Sequence, residues 1–177
     1  MFGVAEHFEK LSRWREFYIF VGGSAATLMG LMFVVMSLGQ RALAGEDGAR
    51  ATRGFFTPIV VFFATNIVVT AIFLIPDIGA TVLAALLACV AVVGVIYMAA
   101  SNVLGLWRQS ELGFDDLLWY VILPYIGYIA IGVAAGGIWL GAGFGFFTAG
   151  SAMLLLLLVG VRNAWDLVVY QIQRTES

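Results

Sequence analysis

Residues 17–38 read FYIFVGGSAATLMGLMFVVMSL, 22 positions without a charged side chain. About 20 apolar residues in a helix cross the hydrocarbon core of a bilayer. This stretch alone therefore reads as a transmembrane helix. It is too long, and too polar at its start, for the core of a signal peptide. Its Gly, Ala and Ser clusters lie inside it rather than at a cleavage site. Once residues 17–38 are a span, the rest of the chain has to be read as a membrane protein.

Upstream, Val4, Phe8, Leu11, Trp14 and Tyr18 recur at helical spacing, while Glu6, Glu9, Lys10 and Arg13 take the opposite face. Residues 4–16 are expected to form an amphipathic helix lying in the headgroup region, the alternative being a plain helical extension of the first span into water. Downstream, Gln40, Arg41, Glu46, Asp47, Arg50 and Arg53 make a polar loop. Thr57-Pro58 then has the form of a cap followed by a first-turn proline. Four further spans follow, over 57–75, 78–101, 117–140 and 146–161. Tight turns are expected at Pro76-Asp77 and at the glycine-rich 141–145, with a second polar connection over 102–113. Asp77 and Asp115-Asp116 are placed to cap the spans they precede. Residues 162–174 are expected to leave the membrane as a helical extension. The expected fold is all-α: one membrane domain over 1–177, a polytopic bundle of five transmembrane helices with an N-terminal interfacial helix and no soluble domain.

Composition agrees. Hydrophobic residues make up 62% of the chain and charged ones 11%. A soluble domain carries about 25% charge. These residues cannot coat a soluble fold, and the apolar content excludes disorder. With 9 Lys+Arg against 11 Asp+Glu there is no basic stripe, so nucleic acid is not an expected partner.

The spans as drawn contain no Asp, Glu, Lys, Arg or His, and this absence excludes much chemistry. A retinal Schiff base needs a buried lysine, yet the one lysine, Lys10, lies in the N-terminal segment. Two histidines would be needed to ligate haem, and His7, the single histidine, reads as a surface or interfacial residue. Intramembrane aspartyl or serine–histidine proteolysis is excluded on the same grounds. Cys89 permits no disulfide and reads as a small hydrophobe. No enzyme activity, metal or cofactor is expected.

What remains is polar and small. Asn66, near the middle of the second span, has Thr70 four residues on and Thr65 beside it. This group reads either as an interhelical hydrogen bond or as the lining of a permeation path. Pro124 is expected to kink the fourth span and free the Tyr120 carbonyl. Tyr125 and Tyr128 follow it as candidate path residues. Gly22, Ala26 and Gly30, and Gly132 and Gly136, are spaced for close helix packing within or between subunits; Ala80, Ala84 and Ala88 repeat the spacing. Arg162, Trp165 and Asp166 form an expected interfacial anchor, with Arg162 and Asp166 four apart for an ion pair.

Orientation follows from the basic residues. Lys10, Arg13 and Arg15 lie at one set of span ends; Arg41, Arg50, Arg53, Arg108, Arg162 and Arg174 lie at the other. The positive-inside rule then puts the N-terminus outside and the C-terminus in the cytoplasm. The hairpins 57–101 and 117–161 share an early proline and a closing asparagine, which reads either as chance similarity between apolar helices or as a parallel repeat.

The run Phe17–Leu38, together with Arg162-Asn163-Ala164-Trp165-Asp166, resembles small multi-pass bacterial inner-membrane proteins of unassigned function. The resemblance implies a bacterial inner membrane and supplies neither an activity nor site residues. Two functions stay open. One is an oligomeric channel or transporter-like subunit. The other is a structural or accessory subunit packed against another membrane protein, with no transport of its own. Lipid, a second copy of the chain and a membrane-protein partner are the expected contacts.

Overall fold

The computed structural model describes residues 4–38, 57–105 and 117–175. Every element in them is helical: α1 (Val4–Leu38), α2 (Thr57–Phe73), α3 (Ala80–Gly105), a π-helical turn (Leu118–Ile122) leading into α4 (Leu123–Trp139), and α5 (Phe144–Thr175). No strand occurs among the described residues. Four stretches are long and apolar enough to cross a membrane: Ala5–Ser37, Ala80–Ser101, Leu118–Trp139 and Phe144–Val169. The remaining helix, α2, is as apolar but only 17 residues long. Beyond the charged first turns of α1, large apolar side chains face outward on every long helix, from Phe20 and Leu31 on α1 through Val93 on α3 and Ile129 on α4 to Leu158 on α5. Such a surface suits lipid rather than water, and the chain is a membrane protein.

Consecutive helices run antiparallel. Gly94 of α3 meets Tyr128 of α4, and Ala91 meets Gly132. Gly127 of α4 meets Leu156 of α5 near the middle, while Gly137 meets Phe144 at their shared turn. The shortest helix, α2, is central. It lies against α1 through Tyr18–Phe73 at one end and the Ala25, Met32, Ile59 and Phe63 cluster at the other. Against α5 it packs through Phe73–Phe146 and Phe63–Gly160. It touches α3 only sparsely, whereas α4 and α5 pack along their lengths. The two hairpins are therefore not alike in their packing.

Several local features differ from the sequence reading. No separate helix covers 4–16; α1 runs unbroken from Val4. No glycine or proline interrupts the chain between Val4 and Val21, and Lys10–Glu6 (2.9 Å) and Arg13–Glu9 (2.6 Å) pairs support the turns. The apolar face of this segment is used by the bundle. Leu11, Trp14 and Phe17 pack on the core, and the Trp14 and Phe147 rings lie 6.2 Å apart. His7 is 4% exposed rather than superficial, and its Nε2–H donates to the Ile78 carbonyl at 3.1 Å. Asp77 takes a left-handed conformation, φ 51°, and does not cap α3; the first helical carbonyl is that of Gly79, which accepts the Leu83 N–H. The α4–α5 turn closes on Gly141 at φ 70°. There Ala142 N–H donates to Gly137 O (2.7 Å) and Gly141 N–H to Ile138 O (3.1 Å), a Schellman cap that needs glycine.

Pro124 acts one turn earlier than a simple kink. Leu123 N–H reaches back five residues to Leu118 O, and Leu118–Ile122 widen into a π turn. Proline supplies no N–H and its ring crowds the carbonyl of Tyr120, so widening the preceding turn relieves that clash. The Asp115-Asp116 cap, the loop 39–56 and the connection 106–116 lie outside the described residues.

Candidate functional site

The polar groups inside the bundle fall into two sets. The central set sits on α2 and is held by its neighbours. Thr70 Oγ1 donates to the Tyr18 carbonyl at 3.1 Å, a true interhelical bond, against Gly22 of α1. A Cβ on Gly22 would come within 2.6 Å of Thr70 carbons, so the bond exists because residue 22 has no side chain. One turn nearer the start of α2, Thr65 Oγ1 donates to Val61 O (2.8 Å); its proton is thereby used, and Tyr128 OH donates to it at 3.0 Å. Tyr128 is fully buried and its ring occupies the space that the missing side chain of Gly94 leaves on α3.

Asn66 lies between these two threonines without joining either. It is fully buried, its Nδ2 donates to Phe62 O of its own helix at 3.0 Å, and its Oδ1 has no protein partner. Asn163 of α5, read from sequence only as an exit marker, is equally buried, and neither amide atom has a partner. Each asparagine is three residues beyond a partner in the Phe63–Gly160 contact, on helices that run in opposite directions. The two amides therefore flank that contact from opposite sides. Tyr125, expected beside Tyr128, is half-buried against the core. Tyr18 was legible only as an interfacial aromatic. It is buried, stacks on Phe73 at 3.9 Å and donates its hydroxyl to Phe146 O at 2.9 Å, tying α1, α2 and α5 together.

The second set joins α4 to α5. Arg162 pairs with Asp166 Oδ1, Tyr120 OH donates to Asp166 Oδ2 at 3.2 Å, and the Arg162 guanidinium lies 6.0 Å from the Trp119 ring centre. Trp119 and Tyr120 come from the π turn, so the distortion at Pro124 shapes this contact. Trp165 points outward, 65% exposed. Both charged residues lie within the apolar stretch Phe144–Val169. α5 continues past 161 as one helix to Thr175, the helical extension expected from sequence, and the ion pair lies on it.

The small-residue positions separate. Gly22 is buried against α2; Gly132 faces Ala91 at an ordinary 3.5 Å; Gly30 and Gly136 have open space beside them, and Ala26 is exposed. Gly23, Ser24 and Thr27, with Ile19, Phe20 and Leu28, line a shallow groove on the outside of α1. Among the described residues, no three His, Cys, Asp or Glu side chains converge as metal ligands. No protein-family model, no curated protein and no solved structure matches the chain.

Proposed function

We propose that the chain is a non-enzymatic, five-span protein of a bacterial inner membrane, acting as a packed structural or accessory subunit without transport of its own. The fifth crossing is α2. Its 17 residues rise about 25 Å, close to the hydrocarbon thickness, and its contacts with α1 run from Tyr18 at one end to Met32 at the other. Five crossings place the termini on opposite faces, N-terminus outside by the basic-residue count.

The observation that carries the accessory reading is Tyr128. A path through one subunit would use the hydroxyls and amide of α2. Instead Tyr128 fills the centre of the bundle against Gly94, and Thr65, Thr70 and Tyr18 spend their hydroxyls on neighbouring atoms. Ala26, Gly30 and Gly136 remain as contact positions for a second copy or a partner helix. One observation favours the conducting alternative: the three unpaired amide atoms of Asn66 and Asn163, which polar solutes on a path would satisfy. Proteoliposomes decide between them. The accessory reading expects ion and small-solute flux equal to protein-free vesicles, for wild type and Asn66→Leu alike. Wild-type flux that Asn66→Leu abolishes, with the protein folded, would establish the path.

A further inference from the structure

The Arg162–Asp166 pair is neither buried nor free of the apolar surface. Its side chains are 41% and 32% exposed, one turn in from the start of the π turn of α4. On the same helix Leu158, Val161 and Trp165 are outward-facing. A surface that is apolar below and carries both signs of charge above matches one class of molecule: a phospholipid with acyl chains along the helix and a zwitterionic headgroup at the pair. Arg162 extends towards the C-terminal end of α5 to reach Asp166, the snorkelling direction of a long cationic side chain near a span end.

We propose that Arg162 and Asp166 bind a phospholipid headgroup containing a phosphate and a primary ammonium, the phosphoethanolamine class. The guanidinium has five N–H donors in a planar fork and suits the phosphate. Asp166 accepts from Arg162 at Oδ1 and from Tyr120 at Oδ2. A carboxylate has about four lone-pair sites, which leaves acceptors for an ammonium. A choline headgroup has no N–H to donate and gains only the phosphate contact. Trp165 and Trp119 are the aromatic residues expected at headgroup depth. The site rests on α5 being a crossing.

The test uses the full chain in nanodiscs of equal phosphatidylethanolamine and phosphatidylcholine, with retained lipid measured by native mass spectrometry. Wild type is expected to retain the ethanolamine lipid in an excess of up to about fivefold, the upper end for an exposed ionic contact. Asp166→Asn should return the ratio to that of the disc, and Arg162→Gln should lower retention of both lipids. Tyr120→Phe keeps both charges and should keep the enrichment. An excess of soluble O-phosphoethanolamine should not displace the lipid. A wild-type ratio equal to that of the disc overturns the site, as does enrichment that survives Asp166→Asn or is lost in Tyr120→Phe. Displacement by the soluble compound overturns the lipid assignment. Failure of the chain to enter nanodiscs at all would instead overturn the membrane-spanning reading.

Discussion

Two glycines on one helix should respond oppositely to the same methyl group. A Cβ on Gly22 would sit 2.6 Å from two carbons of Thr70, whereas Gly30 has nothing within 4 Å. Carbon atoms pack at about 3.5–4.0 Å, so Gly22→Ala forces α1 and α2 apart by roughly 1 Å. That displacement also stretches the 3.1 Å bond from Thr70 to Tyr18 O. Overpacking of this kind costs about 1–3 kcal/mol. Replacing glycine by alanine in a helix returns at most ~1 kcal/mol. With the full ~1 kcal/mol returned, the net expectation is a loss of up to about 2 kcal/mol for Gly22→Ala, against a gain of up to ~1 kcal/mol for Gly30→Ala. Reversible unfolding in mixed micelles, titrated with denaturing detergent, reads the difference. Equal shifts for the two variants would refute the packing of α1 on α2.

Other substitutions test single contacts by the same unfolding assay. Thr70→Val keeps the shape and removes the interhelical bond, and should cost about 0.6 kcal/mol, the mean for such bonds in membranes. Asn66→Leu removes an amide whose Oδ1 is buried and unpaired, and should be neutral or stabilising by ~1 kcal/mol; a loss above that would mean Asn66 has a partner in the membrane. Tyr18→Phe leaves the stacking on Phe73 and deletes the bond to Phe146 O, and should cost about 0.5–1.5 kcal/mol.

The helices were legible because the signals that make them are local. Long uncharged runs have one structural answer in a bilayer, and Pro76 and Gly141 mark where chains must turn. What was not legible is how each helix is rotated. In a soluble helix the apolar stripe faces the core. Here the lipid-facing and core-facing sides are both apolar, so Gly22 and Gly30, four-residue partners of Ala26, looked equivalent although one is packed and the other open. The same blindness hid the central position of α2 and the burial of Asn163. The amphipathic pattern of residues 4–16 points His7 and Trp14 to the interface. Its apolar face is real, but it covers the first turns of α5 and the 74–79 turn. The Arg162–Asp166 pair is legible from its four-residue spacing on a continuous helix, whereas its contact with Tyr120, 46 residues away, has no local signature. The contact of Thr65 with Tyr128 joins residues 63 apart and has no local signature.

The five-span topology is tested most directly by cysteine labelling of the two chain ends in intact cells. With Cys89→Ala as background, Ala5→Cys and Thr175→Cys are each probed with a membrane-impermeant thiol reagent, before and after permeabilisation. An odd number of crossings with the N-terminus outside predicts labelling of Ala5→Cys in intact cells and of Thr175→Cys only after permeabilisation. The same response at both ends, labelled or protected together, would contradict five crossings and with them the passage of α2 through the membrane.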